Sequence, residues 1–382
     1  MGDSDKNHVL SHATVFTWLL AISTIWHHTS SSNEVFDYWL HFDPVQTPAV
    51  FFAVTTAFIA ACYPSSSKIF LLFVGTQILV ISTRIPYIPT HVVMELFLYL
   101  TIFLSYLYLA YKGRNWLIDN SAIFNLFAPT GRWLLLIMYF FGTFHKINPG
   151  FLSLDSSCAL PFFFGLPLPD VILKQTWAQY SAIYGTLILE FVAMLLLMSS
   201  RTKYYGMLLG MPFHFFIGIS SYGSLAHFSS FALTLHSLFV PANFGQRIID
   251  DRLISKYLKQ RNVFLTITVT VVLLQFLFAT LGSWTLMNIL FAIFGLLLML
   301  MIFRHGKIEP DSKPAYRLSS SFPGANIMSA LFFLHCSGPY IGLNTAGVVQ
   351  MFSGLRTEGN VSNHYIINKP VQLFQYQKYV VN

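Results

Sequence analysis

The chain has 382 residues, of which 55% are hydrophobic and only 10% are charged. Soluble domains carry about a quarter charged residues, so this composition excludes an ordinary soluble globular protein. The formal net charge is +7, but the basic residues lie mostly in short connectors and form no basic stripe, which argues against nucleic-acid binding. The three cysteines lack CxxC spacing, so no metal site is predicted.

The apolar residues form long runs bounded by charged residues or proline. Such runs suit bilayer-spanning helices, because lipid leaves backbone polar groups unpaired unless the segment is helical. They predict spans near residues 13–29, 48–63, 69–83, 92–111, 132–146, 180–199, 204–220, 227–240, 263–281, 285–303 and 325–341. We therefore expect an all-α integral membrane bundle of about 9–11 transmembrane helices over residues 1–341, with a short tail over residues 342–382.

The connectors between these runs predict the orientation of the bundle. Alternate connectors are basic, beginning with Lys68, whereas the connector 30–47 carries only the acids Glu34, Asp37 and Asp43. The positive-inside rule then predicts a cytoplasmic N-terminus and an extracytoplasmic tail, and the glycosylation sequon at Asn360 fits that side. We interpret the first apolar run as a retained helix rather than a signal peptide.

Ionisable residues in the predicted spans are candidate functional groups, because intramembrane charge is expensive. At about 1.5 Å per helical residue, Lys146 lies roughly 21 Å beyond Arg132 toward the exterior. His145 is its neighbour in sequence. His91 and Glu95 open the fourth span one turn apart, on a shared face.

Two further groups reach a similar or greater depth. His214 follows Lys203 by roughly 16 Å of helix, which predicts a position near the membrane midplane or just above it. Glu190 lies near the middle of the sixth span. His27 and His28 end the first span and His227 begins the eighth, so five spans carry titratable groups at a similar depth, with Glu190 deeper. This convergence indicates a chamber that opens outward. Desolvation in such a chamber disfavours a charged ammonium, so a lysine there can act as a base.

Each of these residues also has a structural interpretation. A lysine at a helix end often extends to the interface, as Lys146 would. His214 can bond a carbonyl that Pro212 frees, and Glu190 can pair with a polar neighbour. His236 is interpreted as structural, and three histidines are expected at the membrane interface: His27, His28 and His227.

Residues 139–151 read YFFGTFHKINPGF. This stretch resembles the signature of the vitamin K-dependent γ-carboxylases and of the related horizontally transferred transmembrane (HTTM) proteins. That signature has an aromatic helix end, a small residue, a lysine followed by an aliphatic residue, then Asn or Asp and an aromatic residue. The resemblance implies that Lys146 is the base that deprotonates vitamin K hydroquinone or another lipid quinol.

Three other segments resemble the same family. Residues 211–219 (MPFHFFIGI) and the phenylalanine-rich stretch 228–241 are similar to its histidine-containing helix and the helix after it. Residues 86–95 resemble a segment whose Asn-His pair opens an earlier helix, with Thr90 in place of the asparagine. This implies that His91 assists the base.

Residues 338–343 (GPYIGL), 351–359 (MFSGLRTEG) and 362–364 (SNH) resemble the tail of HTTM proteins, which implies an exterior tail.

The tail carries a dense polar cluster, for which two interpretations stay open. Its members are Arg356, Glu358, Asn363 and His364. The cluster could cover the chamber mouth and contribute to substrate binding, or form a structural cap with an Arg–Glu pair.

The resemblance implies a γ-carboxylase-like enzyme of the carbon–carbon lyase and quinol epoxidase type. A lipid quinol would enter between helices and be deprotonated, and oxygen would then add to the quinol anion. The strong base that results would deprotonate the substrate. Carbon dioxide could trap the carbanion formed in that step. Substrate-binding candidates are His214, Glu95, His145, Arg356 and Glu358. The chain ends without the large lumenal region of true carboxylases. One alternative is therefore an HTTM-type factor that matures a secreted peptide with a soluble partner. The other is a non-catalytic lipid- or metabolite-binding membrane protein.

Overall fold

The computed structural model describes residues 11–30, 41–86, 88–222, 225–251, 261–307, 316–344, 347–350, 352–358, 361–371 and 373. Within these ranges the chain is helical and contains no strand. Several sequence features lie outside the described residues, among them Glu34, Asp37, Met351 and the sequon residue Asn360.

The first half of the chain forms five long helices and three short ones. The long helices are α1 (His12–Ser30), α2 (Gln46–Cys62), α3 (Ser67–Arg84), α4 (Thr90–Gly113) and α5 (Asn120–Phe144). The short helices that follow are α6 (Pro149–Leu152), α7 (Ala159–Phe164) and α8 (Asp170–Leu173).

The second half supplies six more long helices and one short one. They are α9 (Thr176–Leu197), α10 (Lys203–Ile219), α11 (Ala226–His236), the short α12 (Phe244–Asp250), α13 (Arg261–Thr280), α14 (Trp284–His305) and α15 (Pro323–Cys336). Short 3-10 turns extend α11 over Ser237–Phe239 and follow α15 over Gly338–Tyr340. A helix therefore lies at each of the eleven predicted runs.

One predicted boundary is wrong by 12 residues, because the run expected at 132–146 belongs to a helix that begins at Asn120. Asp119 caps this helix by accepting a 2.9 Å hydrogen bond from the amide of Ser121. Arg132 lies inside the helix and is buried. Its guanidinium donates to the carbonyl oxygens of Leu238 and Arg317 at 2.8 and 2.7 Å. Because those carbonyl oxygens satisfy the charged guanidinium locally, Arg132 can be buried and does not end the helix.

The protein is a polytopic helical bundle and an integral membrane protein. Six of the described helices are long and apolar enough to cross a bilayer, namely α3, α4, α5, α9, α13 and α14. The apolar helix α2 is shorter, with 17 residues. Length and composition of this kind require a lipid environment, because the lipid-facing side chains would otherwise expose a large apolar surface to water.

α5 is the central helix of the bundle. Within its most apolar stretch 83% of the residues are buried, against 28% for α9 and 22% for α13. α4, α9, α11 and α15 all pack against it. The outer helices leave large side chains exposed, such as Ile188 and Leu273, as expected of lipid-facing surfaces. The C-terminal end of α5 is therefore enclosed by neighbouring helices, and the candidate site lies there.

Candidate functional site

A cavity of about 120 Å³ lies at the C-terminal end of α5. α4, α9, α10 and α11 provide its helical walls, and the segment after α5 and the tail complete it. Most of its surface is apolar, with Met94, Met138 and Phe228 among the wall residues. Four basic or acidic side chains reach this wall: His91, Lys146, Glu190 and His214.

Lys146 and Glu190 form an ion pair inside the cavity wall. The Nζ of Lys146 donates a 2.6 Å hydrogen bond to Oε2 of Glu190, and both residues are buried. The same Nζ lies 5.5 Å from the centre of the Phe151 ring. Lys146 therefore does not extend to the interface. A buried carboxylate and amine this close can exchange a proton, because burial removes much of the advantage that water gives to two separate charges.

Gly142 makes room for this pair. A Cβ atom at Gly142 would lie 3.5 and 3.6 Å from the two carboxylate oxygens of Glu190. The glycine is one helical turn before Lys146, so the carboxylate of Glu190 can lie directly against the backbone of α5. A larger side chain would occupy the space that the carboxylate fills.

His214 extends into the cavity from α10. It is 1% exposed, and neither of its ring nitrogens has a hydrogen-bond partner among the described residues. The ring instead packs on Tyr139, Phe213 and Phe228, with centroid distances of 5.3 to 5.6 Å. The alternative in which it bonds a carbonyl freed by Pro212 is not observed. A buried imidazole without a partner is suited to bind a polar group of a ligand.

His91 meets His27 and His227, two of the three histidines that we expected at the membrane interface. His27, His28 and His227 are all buried, at 7%, 1% and 5% exposure. The Nε2 atoms of His91 and His227 lie 2.6 Å apart. The ring of His27 lies 5.9 Å from His91 and 5.4 Å from His227. The reason is packing, because α1 lies against α11 and brings its C-terminal histidines inward.

A second cavity, of about 320 Å³, lies between α9 and α10 and adjoins the first. The two share the wall residues Ala159, Phe162, Thr186, Phe213 and Ile217. Its outer wall includes Phe216, which is exposed on the flank of the bundle. The inner cavity is thus adjacent to an apolar space on the side of the bundle.

The tail closes the inner cavity on one side, and Asn148 holds it there. Val349 and Phe352 are part of the cavity wall. Asn148 donates to the carbonyl oxygens of His145 and Ser353 at 2.7 and 2.8 Å, and its own oxygen accepts from the amide of Phe151. Asn148 is completely buried, so these bonds fix the tail against the end of α5.

The polar side chains of the tail mainly bond backbone atoms of the protein and do not line the cavity. His364 binds the carbonyl oxygen of Phe144 at 2.8 Å, and burial lowers the pKa of His364. The side chain of Asn363 bonds the carbonyl oxygen of Gly354 at 2.8 Å. Arg356 is exposed, and the carboxylate of Glu358 accepts from the amide of Thr357. Neither Arg356 nor Glu358 is part of the cavity wall.

Two other predicted residues also lie outside the wall. Glu95 is buried on α4, one turn after His91, but does not line the cavity. His145 lies just beyond the end of α5, and its Nδ1 donates to the carbonyl oxygen of Val349 at 2.7 Å. Desolvation is the main cause that lowers the pKa of His145 to about 4. His145 therefore positions the tail as a neutral imidazole.

The structure brings together Lys146, His91 and His214 from the predicted set. It adds Glu190, which we had interpreted as a possible partner of a polar neighbour and had not included among the site residues. Cys158 also lines the cavity, and burial raises the pKa of its thiol, so it is not a reactive thiolate at neutral pH. Nothing in the local sequence around Cys158 indicated this position.

Comparisons with known proteins found no match: no family model, no curated protein and no solved structure resembles this chain closely enough to be assigned.

Proposed function

We propose that this protein is a γ-carboxylase-like membrane enzyme that binds a lipid quinol in the inner cavity and uses Lys146 as its base. The observation that carries the proposal is the buried Lys146–Glu190 pair on the wall of an apolar cavity. Intramembrane ionisable groups are costly and are generally functional. The resemblance around residues 139–151 supplies the chemical role of the lysine.

The cavities suit an aromatic head with an apolar tail. A cavity of about 150 Å³ holds one benzene ring, and the inner cavity, at about 120 Å³, is of a similar size. The adjoining space of about 320 Å³ between α9 and α10 can take the remainder of the molecule. The unpartnered imidazole of His214 would then bind an oxygen of the head. This arrangement supports lateral entry from the bilayer.

The residues of the chain would carry out one proton transfer. The hydroxyl proton of the bound quinol passes to the amine of Lys146 as the ammonium proton of Lys146 passes to Oε2 of Glu190, 2.6 Å away. Charge is conserved, because the quinol becomes an anion as the carboxylate becomes neutral. His91, on the same wall, is positioned to assist. With oxygen, the quinol would supply the strong base for substrate deprotonation, and carbon dioxide would be the carboxylating reagent if carboxylation is retained.

The tail favours a small substrate or an extended peptide over a folded protein domain. Val349 and Phe352 cover part of the cavity, and Asn148 fixes the tail in place. This observation supports the second candidate function, maturation of a secreted peptide by related quinol chemistry. Dependence of turnover on a co-expressed soluble partner would separate the two candidates.

We further propose that the cavity opens toward the extracytoplasmic side. Lys68 lies in the first turn of α3, whose other end leads to Thr90 at the start of α4. Arg201 follows the end of α9, whose other end is connected through α6–α8 to Lys146. The positive-inside rule then makes the N-terminus cytoplasmic and the tail external. Cysteine labelling with a membrane-impermeant reagent at position 366, where Ile366 is exposed, tests this orientation.

The test of function is quinol-dependent oxygen consumption by the purified protein in lipid nanodiscs. Lys146→Ala is expected to abolish turnover, whereas Lys174→Ala, on an exposed i,i+4 pair with Asp170, should leave it unchanged. Quinone content of the purified protein is measured in parallel by mass spectrometry. Full turnover in a folded Lys146→Ala protein would refute the assignment. Stoichiometric quinone without turnover in the unaltered protein would indicate a binding protein instead.

A further inference from the structure

Three histidines from distant parts of the sequence meet in the interior of the bundle. His27 lies near the end of α1, His91 at the start of α4 and His227 at the start of α11. One potential ligand nitrogen from each lies within 4.8 Å of those from the other two. All three residues are less than 8% exposed. No local sequence motif joins them, because they are separated by 64 and 136 positions.

We propose that His27, His91 and His227 bind a divalent transition-metal ion of the zinc class. Neutral imidazole is the ligand type that suits zinc, copper, iron and nickel, whereas calcium and magnesium prefer oxygen ligands. Three histidines are also the protein ligand set of some catalytic zinc sites, in which water or substrate takes the fourth position. The chemistry of this donor set therefore fits a metal with one exchangeable position.

Metal binding requires only a small adjustment of the three rings. Zinc–nitrogen bonds of about 2.0–2.1 Å in tetrahedral geometry separate two ligand nitrogens by about 3.3 Å. The Nε2 atoms of His91 and His227 lie 2.6 Å apart, so they must separate by roughly 0.7 Å. The centroids of these two rings are 4.3 Å apart, and both rings lie within 6 Å of His27. Side-chain rotation can supply this movement without a change in the helices.

The position of the cluster gives such an ion a place in the wall of the cavity. His91 on α4 is part of that wall, and so is Phe228, the residue after His227 on α11. A metal on the three histidines would therefore lie beside the bound ligand. A cation there would stabilise negative charge in the cavity. This inference goes beyond the proposed function and is tested without it, because its readout is metal content.

The experiment measures metal in the full-length protein purified in detergent without chelator. We expect about one equivalent of a transition metal by inductively coupled plasma mass spectrometry, or uptake of one equivalent of cobalt(II) with a tetrahedral ligand-field spectrum. His27→Ala and His227→Ala should each bind at least about 100-fold more weakly. The matched control is His236→Ala, a buried histidine on α11 whose Nδ1 bonds the carbonyl oxygen of Ala232 at 2.7 Å.

Two measurements keep the result decisive if an alanine variant fails to fold. X-ray absorption on the zinc- or cobalt-loaded unaltered protein should show three imidazole nitrogens, and added metal should raise its unfolding temperature. Absence of any bound metal after incubation with zinc, cobalt, copper and iron would overturn the proposal. Equal metal loss in His236→Ala, or unchanged affinity in a folded His227→Ala protein, would also overturn it.

Discussion

The amine of Lys146 and the carboxylate of Glu190 lie 2.6 Å apart at the contact between the end of α5 and the middle of α9. Lys146 follows α5 by two residues, so its backbone is fixed by the turn that Asn148 stabilises. Glu190 comes from a helix whose other face is exposed to lipid. The pair therefore joins the central helix to the periphery of the bundle through a single charged contact.

Glu190→Gln should destabilise the protein by about 3–5 kcal/mol, because it leaves the buried ammonium of Lys146 without its counter-ion. The double variant Lys146→Met with Glu190→Leu should instead be about as stable as the unaltered protein, since apolar residues of similar volume replace both charges. Unfolding in mixed micelles measures both effects. The double variant should lack quinol-dependent turnover, and recovery of turnover there would exclude a role of the pair in proton transfer.

Gly142→Ala should be tolerated, because the added Cβ makes an ordinary contact with Glu190 at 3.5 Å. Gly142→Leu should fill the cavity and reduce bound quinone to background, as measured by mass spectrometry of extracted lipid. Gly75→Leu on α3 is the matched control, because a Cβ at Gly75 meets nothing within 4 Å and Gly75 lines neither cavity. Equal quinone content in the Gly142→Leu and Gly75→Leu proteins would contradict ligand binding at this cavity.

His214→Phe should preserve the fold, because the imidazole packs among aromatic rings and its nitrogens bond no described residue. Loss of a hydrogen bond to the ligand should weaken quinol binding by about 0.5–1.5 kcal/mol, or roughly 2- to 12-fold. Titration of the protein with a reduced quinone analogue, followed by quenching of the protein's fluorescence, measures this change in affinity. A tighter complex would show that the ligand makes no polar contact with His214.

Asn148→Ala should release the tail, because it removes the bonds to the carbonyl oxygens of His145 and Ser353 and the cap on Phe151. The expected result is faster proteolytic cleavage within residues 352–371 and a loss of about 2–4 kcal/mol in unfolding free energy. The exposed Asn125 on α5 provides the control. Unchanged cleavage would show that the tail is held by other contacts.

The tail contact should also weaken in acid. The folded-state pKa of His145 is about 4, below its usual 6.5, because of desolvation. Its contribution to stability is therefore complete above pH 6.5 and is lost as the pH falls toward 4, by about 3 kcal/mol in total. His145→Asn keeps an amide donor for Val349 and should flatten this dependence. The same acid sensitivity in the His145→Asn protein would assign it to another group, such as His364.

The eleven helices were predictable, because apolar run length and flanking charge are properties of local sequence. The start of α5 was not, since the burial of Arg132 depends on carbonyl oxygens of Leu238 and Arg317 that lie far away in the chain. The sequence likewise contained no signal that a charged residue at that position belongs inside a helix.

Part of the site was predictable in the same sense. Lys146, His91 and His214 were found by counting depth along helices and by resemblance. The partner of Lys146 was not, because depth counting gives no rotation about a helix axis and so cannot tell which helix Glu190 faces. The burial of His27 and His227 depends on the packing of α1 against α11, which a charge pattern does not encode. The positions of Arg356 and Glu358 depend on the fold of an irregular segment, which has no periodicity.

The tail has a consequence for biosynthesis. Val349 and Phe352 complete a cavity whose other walls come from residues 90–228, so a ribosome must synthesise more than 120 further residues before the binding site is closed. During that interval the cavity lacks the wall that Val349 and Phe352 provide. Maturation of the site is therefore a late event, which follows the integration of the last helix into the bilayer.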